Sequence, residues 1–112
     1  MLKIELSPAF GGTGRIWLQG AATLTQAQRF ELVTTIQPAM DAMCVWGGAD
    51  KRDDKRVGED SVLDMLSWEI DLAAMPVVVL GLVRLLQTSR LPLENGPEAC
   101  AAGRNFTARK AA

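Results

Sequence analysis

A chain of 112 residues and 12.1 kDa fits one domain of ordinary size. With 48% hydrophobic and 22% charged residues it has the composition of a soluble globular protein, and a net charge of −1 supplies no field to draw it to nucleic acid or to an acidic membrane. Histidine is absent, which removes the commonest general base at neutral pH, the commonest metal ligand and every Ser–His or Cys–His pair.

From the N-terminus, Leu2, Ile4 and Leu6 alternate with Lys3, Glu5 and Ser7. This is the period-two signature of a half-buried strand, and the interleaved charges leave no apolar run for a secretory signal. The stretch Pro8 to Gly14 is dense in turn residues, and Arg15 to Gln19 is a second short run of strand formers stopped by Gly20. Together they predict a β-hairpin. The same glycines suggest a phosphate loop only superficially. A dinucleotide fingerprint needs a different glycine spacing and a following helix, and a P-loop needs a Gly-Lys-Ser/Thr ending. A lone hairpin is marginal in water, so this one must pack on helices or pair with another chain.

Thr25 and Gln28 form a capping box at the start of a predicted helix, with Phe30, Val33, Ile36, Met40 and Met43 as its apolar stripe. Pro38 is expected to kink or restart that helix, and Gly47-Gly48 to end it. Residues 49–58 carry the triplet Asp-Lys-Arg twice, at 50–52 and 54–56. Such mixed charge stays in water, as an exposed loop or a frayed helical turn. Trp46 sits at the edge of this segment. Tryptophan is enriched at interface hot spots as well as in cores, so Trp46, Lys51, Arg52, Asp53, Asp54, Lys55 and Arg56 are the candidate partner-binding residues. Lys51, Arg52, Lys55 and Arg56 could instead meet phosphates. The interleaved aspartates cancel their field, and no aromatic lies among them to stack on bases.

A second helix is predicted from Ser61 to Met75, with Leu63, Leu66, Ile70 and Ala73 inward and Asp60, Asp64, Ser67 and Asp71 in solvent. Asp60, Asp64 and Asp71 share a helical face and invite a reading as a cation site. A tight site needs carboxylates converging from more than one element, so a solvated polar face is the better reading. A third helix is predicted from Pro76 to Ser89, its less apolar stripe being Val77, Gly81, Arg84 and Thr88. The β-branched run Val77 to Val79 also suits a strand, and length and stripe spacing favour the helix. Interrupted by Pro76 and Arg84, the apolar stretch Leu72 to Leu86 falls short of the ~20 residues of a membrane span.

From Arg90 the composition changes. Pro92, Asn95, Gly96, Pro97 and Gly103 read as breakers, and residues 91–112 as an extended, weakly ordered tail that could fold on a partner. Cys44 and Cys100 have no partner motif and read as free thiols in a reducing cytoplasm, a single long-loop disulfide being the alternative. Cys44, flanked by Met43 and Val45, has the apolar setting that raises a thiol pKa and deactivates it.

Residues 68–95 combine Trp68, a short acidic turn to Leu72, Met75-Pro76 opening a nearly continuous apolar helix, and the ending Ser89 to Asn95. This pattern resembles the ending of small tail-assembly and other morphogenesis proteins of tailed bacteriophages and prophages. The resemblance implies a cytoplasmic protein that binds other phage proteins during tail building, and it carries over no catalytic residues.

The expectation is therefore an α+β domain over residues 1–90, an N-terminal β-hairpin packed on two or three α-helices, followed by an irregular C-terminal tail. It is expected to be non-enzymatic, without cofactor or metal. Its partners would be proteins, phage tail components or a host complex, and other copies of itself. A small phage-encoded inhibitor of a host defence or regulatory complex is the alternative function. A nucleic-acid-binding regulator is the third.

Overall fold

The computed structural model describes residues 1–9, 11–43 and 65–111, with side chains described to Phe106. The chain is an α+β fold in which a three-stranded antiparallel sheet of order β1-β2-β3 packs on helices. Strand β1 (Lys3–Pro8) and strand β2 (Thr13–Gln19) form the predicted hairpin, in a register that sets Ile4 opposite Leu18 and Leu6 opposite Ile16. Gly11 and Gly12 take the left-handed φ angles of 71° and 78° that the connecting turn requires. Gly20 ends β2 with φ 93°.

The capping box forms as predicted: Gln28 N–H donates to Thr25 Oγ1 at 3.1 Å, and Thr25 N–H donates to Gln28 Oε1 at 2.9 Å. It opens helix α1 (Gln26–Glu31), which continues through a π-helical turn (Leu32–Ile36) into helix α2 (Gln37–Met43). Pro38 explains the wide turn. Its ring would press on the carbonyl of Thr34 in a regular α-helix. Here Gln37 N–H reaches back to the Leu32 carbonyl instead, so the helix widens where a kink or restart was expected. The widening also corrects the predicted stripe. Leu32, Ile36 and Met40, at steps of four, are fully buried, whereas Phe30 and Val33 are 68% and 42% exposed.

The largest departure is at residues 65–71. The predicted second helix is instead strand β3 (Met65–Asp71), paired along β2 with Trp68 opposite Ile16. Leu66, Trp68 and Ile70 alternate inward, with Glu69 and Asp71 turned toward solvent. The helical stripe had to borrow Leu63 and Ala73 from outside this short segment. Pairing decides the matter, because Gly14, Ile16 and Leu18 of β2 need backbone partners on the side away from β1.

Helix α3 (Met75–Thr88) confirms the predicted third helix, with Pro76 in its first turn. Met75, Val78, Val79, Leu82, Val83 and Leu86 face the core, and of the less apolar stripe Val77, Arg84 and Thr88 are exposed and Gly81 half-buried. Arg90, at φ 59°, closes the helix: its N–H donates to the Gln87 carbonyl and Leu91 N–H donates to the Leu86 carbonyl. This is the Schellman arrangement, with an arginine where glycine is usual.

The segment expected as a weakly ordered tail contains helix α4 (Gly96–Ala111), which packs on α3 and β1. Its cause is local. Pro97 fits a first helical turn, where its missing N–H costs nothing, and alanines follow. The supposed breaker Gly103 is buried, and a Cβ there would stand 3.3 Å from Val79 Cβ, so its small size permits close approach of the two helices. Among the described residues of that segment, only 91–95 keep the irregular backbone that the composition predicted. They run along the free edge of β1: Leu2 N–H donates to the Pro92 carbonyl at 2.9 Å, and Glu94 N–H to the Leu2 carbonyl at 2.7 Å.

Candidate interaction surfaces

Helix α2 presents Ala39, Ala42 and Met43 toward α3, which answers with Gly81 and Leu85. Small residues on both helices keep the surfaces from filling the space between them. A Cβ on Gly81 would lie 3.5 Å from Met43 Sδ. The result is an open groove of about 530 Å³ whose polar side chains are Arg84 and Thr88. Farther along α3, Val77 and Leu80 are 70% and 40% exposed. A cleft of this composition offers mainly apolar area, with Arg84 and Thr88 as its polar side chains on the α3 side. It suits the apolar face of a partner segment.

The outer face of the sheet has the opposite character. Odd-numbered residues of all three strands lie on it, and they form a connected polar layer. Thr13 Oγ1 donates to Glu69 Oε2 at 2.9 Å, while Arg15 donates to Glu69 Oε1 at 3.0 Å and to Ser67 Oγ at 3.1 Å. Trp17 Nε1 donates to Ser7 Oγ at 2.9 Å, and the Arg15 guanidinium lies 5.6 Å from the Trp17 ring centroid. Thr13 and Ser67 are buried beneath these longer side chains. Arg15 and Trp17 are thus each tied to a neighbouring strand before any partner arrives.

The seven predicted partner-binding residues, Trp46, Lys51, Arg52, Asp53, Asp54, Lys55 and Arg56, lie outside the described residues, as do Cys44, Asp60 and Asp64. Trp17 is half-buried on the outer sheet face, and Trp68 is fully buried in the core. Asp71 is exposed at the end of β3, and Cys100 is a free, half-buried thiol on α4. Among the described residues, no group of three His, Cys, Asp or Glu side chains is arranged to hold a metal ion. No helix among them is long and apolar enough to cross a membrane.

The α2–α3 groove was missed in the sequence because it depends on which helix faces which. The less apolar stripe through Gly81 and Arg84 marks one side of α3, but nothing in it points to Ala39 and Ala42 across the gap. Compared with known proteins, the chain matches no family model, no curated protein and no solved structure, so its own geometry carries the functional argument.

Proposed function

We propose that this protein is a non-enzymatic binding factor that docks an apolar helical segment of a protein partner in the groove between α2 and α3. The observation that carries the reading is that groove: about 530 Å³, with Ala39, Ala42, Met43, Gly81 and Leu85 along it. The absence of histidine from the whole sequence supports the same class, since few general acid–base schemes at neutral pH remain without it. Within that class the resemblance of residues 68–95 to phage morphogenesis proteins favours tail assembly in the host cytoplasm, with self-association a further use of exposed apolar surface. The segment from Trp46 to Arg56 is proposed, from its sequence alone, as a further partner-binding segment.

The test is affinity capture from cells producing the phage or prophage that encodes the chain, with the Ala42→Arg variant in parallel. Tail components retained by the wild type and lost at least tenfold by the variant would support the reading. A host enzyme complex captured in their place would favour the inhibitor function. Retention on DNA that falls steeply with salt would favour the nucleic-acid regulator. Equal capture by both variants would remove the groove from the contact.

A further inference from the structure

In an antiparallel pair, successive residues turn their backbone groups alternately toward the partner strand and away from it. Ile4 turns its N–H and C=O away from β2, to the side chain of Asn95. Ala9, an odd number of residues later, sends its N–H back across the hairpin to the Thr13 carbonyl. Leu2, Ile4 and Leu6 therefore share the outer edge of β1. Residues 92–95 seal this edge at Leu2 and Ile4, and the chain then departs into α4 at Gly96. The outward N–H and C=O of Leu6, and the carbonyl of Pro8, have no hydrogen-bond partner among the described residues.

Between this open stretch of β1 and helix α4 lies a groove of about 440 Å³. Leu6 and Pro8 form its strand side, and Ala102 and Phe106 stand on its helix side. Its charged residues are Glu5 and Glu98, both acidic. Glu5 is paired with Lys3 at 3.3 Å, whereas Glu98 is exposed and has no ion pair among the described residues.

We infer that this groove binds an extended peptide segment of a partner protein, carrying a basic side chain, which continues the seam that residues 92–95 begin along β1. Three features select that occupant. Unpaired edge groups are satisfied by extended backbone, because a helix has its own N–H and C=O groups already engaged. The helix wall carries alanine, which leaves width for an apolar side chain beside Leu6 and Phe106. The free carboxylate of Glu98 complements a cation at the groove margin. Pro8 has no N–H, so the added strand is short and the binding is weak without its side chains. This surface is distinct from the α2–α3 groove and does not depend on it.

The probe is a displayed library of random linear dodecapeptides selected on the full chain. Enriched sequences are then synthesised and titrated into isotope-labelled protein. The expected peptides place Lys or Arg beside apolar residues, and their binding shifts the amide signals of Leu6, Ser7 and Ala102. Ala102→Trp, at an exposed position, should weaken binding at least tenfold, and Glu98→Lys about fivefold or more. Ala42→Arg should leave it unchanged, so failure here is distinguishable from failure of the α2–α3 reading. Should Ala102→Trp disturb folding, Glu98→Lys carries the test alone. The inference is overturned by a selection that enriches nothing, by acidic consensus peptides, by shifts confined to other surfaces, or by affinity indifferent to both groove substitutions.

Discussion

The side-chain amide of Asn95 pairs with the backbone of Ile4 as a neighbouring strand residue would: Oδ1 accepts the Ile4 N–H at 3.0 Å and Nδ2 donates to the Ile4 carbonyl at 2.9 Å. The residues are 91 positions apart, so one side chain ties the first strand to the start of the last helix. Its own backbone carbonyl meanwhile accepts the Ala99 N–H of α4 at 2.9 Å. Truncating this amide leaves two part-buried backbone groups without partners. Asn95→Ala should cost about 2 kcal/mol. In urea denaturation the midpoint should fall by roughly 1 M with an unchanged slope, and a drop below about 0.3 M would show that water replaces the amide without loss.

Gly20 takes φ 93°, and a Cβ there would meet the backbone carbonyl of Met1. Neither constraint yields to a side-chain movement. Gly20→Ala should cost about 3 kcal/mol, from a left-handed penalty of ~1–2 kcal/mol and displacement of the N-terminal backbone. Thermal unfolding should show a Tm lower by about 10 °C or more.

Trp68 is fully buried, and its indole Nε1 donates to Asp41 Oδ1 at 3.1 Å, joining β3 to α2. Trp68→Phe should destabilise by about 2–3 kcal/mol through lost volume and a lost hydrogen bond to a carboxylate. Combining it with Asp41→Ala in a double-mutant cycle should give a coupling of about 1–2 kcal/mol. Additive single changes would mean that the bond contributes nothing beyond packing.

Arg90 holds a left-handed φ of 59° at the end of α3 and is exposed. Glycine adopts this conformation without steric penalty and is the usual residue at such a cap. Arg90→Gly should therefore stabilise the protein by about 1 kcal/mol, offsetting the greater freedom of glycine in the unfolded chain. The corresponding rise in Tm is about 4–8 °C. A fall would identify a contact of the arginine side chain as more important than its backbone strain.

Features with local causes are legible in the order of the residues alone. The hairpin follows from alternation in residues 2–7 and the glycines after Pro8. The capping box needs only Thr25 and Gln28, and α3 is legible from its apolar length and its less apolar stripe at Val77, Gly81, Arg84 and Thr88. Features that depend on a partner distant in the chain emerge only once the elements pack. Residues 65–71 satisfy both a strand period and a short helical stripe, and only the open backbone edge of β2 selects the strand. Gly103 reads as a helix breaker until Val79 is placed against it. Asn95 reads as a turn residue until Ile4 arrives with two backbone groups to satisfy. The grooves beside α2 and beside β1 belong to the same class, because a cleft is made by two surfaces and each stretch of sequence describes only one.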